Sequence, residues 1–231
     1  MRCVVLFDID GTLLLTSGAG RRAITGAIAE ELGDSRPMRR IRFDGKTDPQ
    51  IIAELLETAG MRDYLTDERL DAICRRYLQR LAAELEEPTS KTTVMPGVHR
   101  LLERLEQESG VMLGLLTGNI AEGAALKLRS AGINPERFRV AAYGSDAAHR
   151  RELPPIAADR AARYFGRVPT GDEIVIIGDT PADIACGECI NARAIAVATG
   201  GYTRAELTAC EPYAVFEDLS DTERVLTTIL Q

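Results

Sequence analysis

The chain opens on CVVLFDIDGTLL, residues 3–14, and the reading of this stretch decides the fold. Cys3–Phe7 is apolar without polar alternation, as expected of a strand buried on both faces of a parallel sheet. It runs into two acids, Asp8 and Asp10, one residue apart. Residues i and i+2 of a strand point the same way, so both carboxylates can face one crevice while Ile9 turns into the core. Gly11 and Thr12 follow as a turn able to offer backbone N–H groups to an anion. Two charges at the end of a buried strand call for a partner elsewhere in the chain.

The bulk numbers narrow the field. The chain has 231 residues, 45% apolar and 27% charged, which fits a globular α/β domain plus a small insert and argues against disorder. A net charge of −7 disfavours nucleic acid as the main partner. No stretch approaches the roughly 20 apolar residues of a membrane span. CVVLF is short and leads straight into acids, unlike a signal peptide, so the expected location is the cytoplasm. The five cysteines are scattered, and Cys186 and Cys189 form a lone C-x-x-C without the second pair that a zinc site needs.

Further apolar runs read as strands at Val111–Leu116, Arg139–Ala142, Ile174–Ile177 and Ala194–Val197. Helical patterns lie between them. GVHRLLERLEQESG (97–110) sets Val98, Leu101, Leu102 and Leu105 on one stripe and closes on Gly110. AEGAALKLRSAG (121–132) and PPIAADRAARYFG (154–166) also close on glycine. Strand alternating with helix predicts a doubly wound, Rossmann-like α/β core with a parallel sheet of about five strands. The first and second strands are about 95 residues apart, where a crossover needs roughly 30. An insertion is therefore expected, and its pattern is helical throughout: GRRAITGAIAEELG, PQIIAELLETAG and DERLDAICRRYLQRLAAELEE. The predicted division is a core of residues 1–15 and 91–231 and a small all-helical domain of residues 16–90, with linkers at 18–22 and 86–97.

Ligands of such sheets bind beyond the carboxyl ends of the strands. The first strand delivers Asp8 and Asp10 there, the second Thr117, Gly118 and Asn119, and the fourth Asp179 and Asp183. Converging carboxylates need a cation, and hard oxygen ligands select Mg²⁺ or a relative. Mg²⁺ held in this way commonly also holds a phosphate. A carboxylate can attack phosphorus to give an aspartyl-phosphate, and a second acid can protonate the leaving oxygen and then activate water.

D-x-D-G-T-L at Asp8–Leu13, strand-terminal Thr117, a basic residue before the helix at Arg151, and G-D-x-x-x-D at Gly178–Asp183 together resemble the four motifs of the haloacid dehalogenase (HAD) superfamily, in order and over essentially the whole chain. Within it the chain looks most like the phosphoglycolate phosphatase group, with a helical cap inserted after the first strand. The resemblance implies that Asp8 is the nucleophile and a Mg²⁺ ligand, and that Asp10 is the general acid/base and a metal ligand through its carbonyl. Thr117 would hold the phosphoryl group with N–H groups near Gly118 and Asn119; Gly11 and Thr12 would add theirs. Asp179 would bind Mg²⁺, with Asp183 an outer or alternative ligand. HRRELPPIAADRA (149–161) departs from the family's usual lysine. Arg151, three residues before Pro154, is the expected basic group, and Arg150 is the alternative. Dehalogenases proper lack the second acid, so Asp10 favours phosphoryl chemistry.

In the predicted cap, DGKTDPQII (44–52) reads as a loop with Asp48 as N-cap and Pro49 as N1 of a helix. Lys46 on that loop, and Arg21 or Arg22 at the start of the first cap helix, are candidates to touch the substrate; Arg22 is the one selected. The expected activity is Mg²⁺-dependent hydrolysis of a small phosphorylated metabolite. The alternatives are a phosphomutase of the β-phosphoglucomutase kind and a non-catalytic ligand-binding protein on the same scaffold.

Overall fold

The computed structural model describes residues 2–33, 41–87 and 91–231. In chain order the strands among them are β1 Cys3–Phe7, β2 Leu14–Leu15, β3 Thr93–Val94, β4 Val111–Thr117, β5 Val140–Tyr143, β6 Ile174–Gly178, β7 Arg193–Val197 and β8 Ala214–Phe216. The α-helices are α1 Ala19–Leu32, α2 Asp48–Thr58, α3 Asp67–Glu86, α4 Val98–Gln107, α5 Ala121–Ser130, α6 Leu153–Phe165, α7 Pro181–Cys186, α8 Arg204–Thr208 and α9 Thr222–Leu230. No helix among the described residues is long and apolar enough to cross a membrane.

The main sheet is parallel, in the order β5-β4-β1-β6-β7-β8. It has one strand more than the five expected; the addition is β8, an edge strand of three residues. The period-2 geometry of β1 splits its side chains between two cores. Val4 and Leu6 pack with Leu153, Ala157 and Ala161 of α6. Cys3, Val5 and Phe7 pack with Leu101 and Leu105 of α4, Leu128 of α5 and Ile229 of α9. All five β1 residues are buried, which is why the strand carries no polar residue until its end.

The chain winds outward from β1 through β4 and β5, then crosses back and continues through β6, β7 and β8. β1 is therefore the switch point, and the carboxyl ends of β1, β4 and β6 open onto one crevice. The inserted helices bury a cluster of their own, including Ile24, Ile28, Ile52, Leu56, Ile73 and Leu81. The chain leaves through β2 and returns through β3, which pair antiparallel as Leu14↔Val94 and Leu15↔Thr93. The outgoing linker is shorter than expected. Gly18, at φ 80, turns the chain, and α1 already begins at Ala19. Residues 88–90 of the return segment lie outside the described residues.

Candidate active site

Asp8 directly follows β1, its backbone N–H donating to Ile177 O at 2.9 Å, so β6 fixes its position. Its carboxyl is buried, and Oδ1 accepts from Arg150 Nη2 at 2.8 Å. Burial pushes Asp8 up to about 7 against the pull of Arg150, with Asp183 and Asp10 adding repulsion. Asp10 lies two residues on with its side chain 40% exposed, while Ile9 between them is fully buried. The i, i+2 placement expected from the strand is present.

Asp8, Asp179 and Asp183 each bring a carboxylate oxygen to within 4.8 Å of the others. The backbone is cleared for them. A Cβ on Gly11 or Gly200 would collide with Asp179, and one on Gly178 with Asp183. Thr12 Oγ1 donates to Asp179 Oδ1 at 3.1 Å. Burial, then repulsion from Asp183 and Asp8, raises Asp179 well above the usual carboxylate range. Three desolvated hard-oxygen donors around one point fit a small divalent cation.

Thr180 is the N-cap of α7 in a capping box, and Asp183 Oδ2 accepts from Thr180 N at 2.9 Å and Oγ1 at 2.6 Å. Asp183 thereby caps the helix and faces the cluster at once. Arg150 also ion-pairs with Asp183 and donates to Leu116 O at 2.9 Å. Burial works against the Arg150 charge, but Asp183 and Asp8 outweigh it and leave the pKa raised.

Four expectations need correction. Arg151 is exposed, and Arg150 is the cation buried against Asp8. The residues Arg150–Glu152 form a 3₁₀ turn, in which neighbouring side chains diverge by about 120°, so only one of two adjacent arginines reaches inward. The N–H of Gly11 donates to Leu14 O at 2.9 Å and that of Thr12 to Ile9 O at 3.3 Å, so both close the turn instead of facing an anion. Arg22 is tied to Glu84 at 2.7 Å and to Ser17 O at 2.7 Å, while Arg21 lines the crevice and stacks on Phe43 at 3.7 Å. Thr47, not Asp48, is the N-cap of α2, accepting from Gln50 N at 3.2 Å.

The crevice is a cavity of about 210 Å³ with walls from both parts of the chain. Asp8, Asp10, Gly118, Asn119, Arg150 and Asp179 form the floor; Arg21, Phe43, Lys46, Asp48 and Tyr77 come from the inserted segment. Lys46 lines it while paired with Glu54. Thr117 is fully buried at the end of β4, and its hydroxyl accepts from Asn119 Nδ2 at 2.8 Å. The segment around Lys46 sits tightly on the floor. Asp48 N donates to Gly118 O at 2.7 Å, and Asp48 Oδ2 accepts from Ile120 N at 2.9 Å.

One residue of the site escapes the sequence reading. Lys127 of α5 is buried and lines the cavity, with Nζ 2.7 Å from Asp10 Oδ2 and 2.6 Å from Asn119 Oδ1. Its signal lies in the helix pattern, because it shares the buried face with Gly123, Ala124 and Leu128. A lysine on the inward face of an amphipathic helix needs a buried acceptor.

Comparison with known proteins identifies the family. Residues 5–188 match the model of the haloacid dehalogenase-like hydrolase family. A phosphoglycolate phosphatase of Cereibacter sphaeroides is 29% identical over 231 residues, covering 98% of each chain. Among solved structures, CbbY from Rhodobacter sphaeroides in complex with phosphate superposes with a TM-score of 0.74 at 20% identity, covering 96% of both chains. A β-phosphoglucomutase from Clostridium difficile gives 0.73 at 16% identity, covering 99% of this chain and 97% of that one. The chain belongs to the haloacid dehalogenase-like hydrolase family.

Proposed function

We propose that the protein is a Mg²⁺-dependent phosphatase that hydrolyses a small phosphate monoester through an aspartyl-phosphate on Asp8. The observation that carries this reading is the grouping of Asp8, Asp179 and Asp183 around one point, with Arg150 against Asp8 and a second acid, Asp10, at its edge. Asp8, Asp179 and Asp183, with the carbonyl of Asp10, are the residues that would hold Mg²⁺. When bound, the ion supplies charge neutralisation that keeps Asp8 ionised and draws the phosphate in.

Arg150 occupies Oδ1 of Asp8 and leaves Oδ2 to attack phosphorus. The ester oxygen departs with a proton from Asp10, and the resulting Asp10 carboxylate then takes a proton from the water that cleaves the aspartyl-phosphate. Thr117 and the backbone N–H of Gly118 hold the phosphoryl oxygens, while the N–H of Asn119 is already spent on Thr117 Oγ1 at 3.3 Å. The inserted helices act as a cap (residues 16–90) that excludes bulk water and supplies Lys46 and Arg21 to the far end of the substrate. A cavity of about 210 Å³ suits an ester of a few carbons, and the similarity to a phosphoglycolate phosphatase of Cereibacter sphaeroides supports a phosphoglycolate-like substrate.

Phosphate release from p-nitrophenyl phosphate and from a panel of small esters including 2-phosphoglycolate tests the reading. Activity should require Mg²⁺, vanish with EDTA, and fall by about a thousandfold or more in Asp8→Asn. Wild-type turnover in Asp8→Asn would sink the mechanism. Formation of an isomeric ester in place of free phosphate would make the protein a mutase. A folded protein inert towards the whole panel would point to a binding role.

A further inference from the structure

The phosphatase reading leaves one buried charge without a task. Lys127 Nζ lies 2.8 and 2.7 Å from the two oxygens of Asp10 and 2.6 Å from Asn119 Oδ1. An ammonium group has three N–H donors, and these three acceptors use all of them. Lys127 therefore has no donor to spare for a substrate, although it lines the cavity.

The surroundings are shaped for it. Lys127 is 5% exposed, and burying an ammonium is costly unless it is paired. Gly20, at the start of α1, leaves room: a Cβ there would stand 3.2 Å from Nζ and 3.5 Å from Cε. Asn119 completes the grip from the other side, its Nδ2 donating to Asp10 Oδ2 at 2.8 Å and to Thr117 Oγ1 at 2.8 Å. Asp10 is far more exposed than Asp8, Asp179 or Asp183, with 40% of its side chain exposed. Without these contacts its carboxyl would turn freely.

We propose that Lys127 is a positioning residue for Asp10. The inference rests on Asp10 being the acid of the phosphatase reaction. In the first step Asp8 Oδ2 forms its bond to phosphorus and the bond from phosphorus to the ester oxygen breaks. That oxygen keeps the electron pair and takes the proton of the Asp10 carboxyl. Asp10 is left as a carboxylate, and the fixed ammonium of Lys127 already faces both of its oxygens. Lys127 aims the proton and meets a charge that grows only as the step proceeds, which is the condition for lowering a barrier.

Leaving-group chemistry provides the test. A nitrophenolate departs without a proton, whereas an alkoxide does not, and kcat/KM reports only the steps up to the aspartyl-phosphate. Lys127→Met should lower kcat/KM at least about tenfold more for the best alkyl phosphate of the panel than for p-nitrophenyl phosphate. Asp10→Asn should show the same asymmetry. In the Asp10→Asn background, Lys127→Met should cost no more than about threefold, because the two act as one unit. Lys127→Gln, which keeps donors but no charge, should fall between. Equal losses on both esters, additive losses with Asp10→Asn, a change confined to KM, or failure of both Lys127 variants to fold by circular dichroism would each overturn the proposal. Asp8→Asn run in parallel separates the two failures: undiminished turnover there sinks the phosphatase reading itself and takes this inference with it.

Discussion

At the scale of single residues, the site turns on which of two adjacent arginines points inward. Arg150 is the counter-charge of Asp8 and Asp183, and removing it strands two buried like charges. Breaking a buried pair in this way costs about 3–5 kcal/mol. Arg150→Met should therefore lower the melting temperature and reduce kcat/KM by about a hundredfold or more. Arg151→Ala, at an exposed position, should stay within about twofold of wild type in both. Thermal melts and steady-state kinetics on the two variants decide it, and the reverse pattern would restore Arg151 to the role that the spacing before Pro154 suggests. The acids were legible because strand ends fix them: the i, i+2 alternation places Asp8 and Asp10, and the switch point places Asp179. The basic group was not, because a short 3₁₀ turn carries no periodic pattern from which to count. Gly11 misled for a related reason. Its φ of 89 fits an anion-binding turn, yet the N–H is spent on Leu14, and what the missing side chain provides is space for Asp179.

At the scale of elements, the segment running into α2 binds the inserted helices to the sheet. Thr47 donates to Ala148 O, Asp48 N to Gly118 O, and Asp48 Oδ2 receives the N–H of Ile120 at the start of α5. α5 has no side-chain cap of its own at Ile120, so the inserted segment caps a core helix. The helices of the insert could be read from their 3.6-residue stripes, and the sheet from its apolar runs. β8 could not, since three residues at an edge are too few to show a period. Neither could the docking of the loop, which depends on Gly118 leaving room for the Lys46 carbonyl. Gly118→Ala would put a methyl group into that carbonyl. It should push the segment off the floor, raise KM and lower kcat/KM by about tenfold or more, and expose the insert to limited proteolysis. Unchanged kinetics and an unchanged cleavage pattern would show that the segment does not need this contact.

At the scale of the whole molecule, the buried carboxylates set how stability varies with pH. Asp8 is pushed up to about 7 and Asp48 to about 6, both chiefly by burial. In the unfolded chain an aspartate titrates near ~3.9. Between those values the native state holds protons that the unfolded chain has released, so stability falls as pH rises. The contribution is fully present below the unfolded value and lost on passing the folded one. Asp146, held down by its hydrogen bond to Arg160, and Glu173, held down by Arg167, act in the opposite direction. Their support fades only as pH drops through their lowered values, so the range from pH 5 to 8 belongs to the buried acids. In EDTA the melting temperature should therefore decline from pH 5 to pH 8. Asp48 is buried and is no part of the acidic cluster, so it isolates the effect. At ~1.4 kcal/mol for each tenfold change in proton affinity, its whole share between the unfolded and folded values is on the order of 3 kcal/mol, of which roughly half falls above pH 5. Asp48→Asn keeps an acceptor for the Ile120 N–H but carries no charge to desolvate. Its melting curve should be flatter across this range and lie above wild type at pH 8. A variant curve running parallel to wild type would mean that Asp48 ionises in the folded protein as easily as in the unfolded chain.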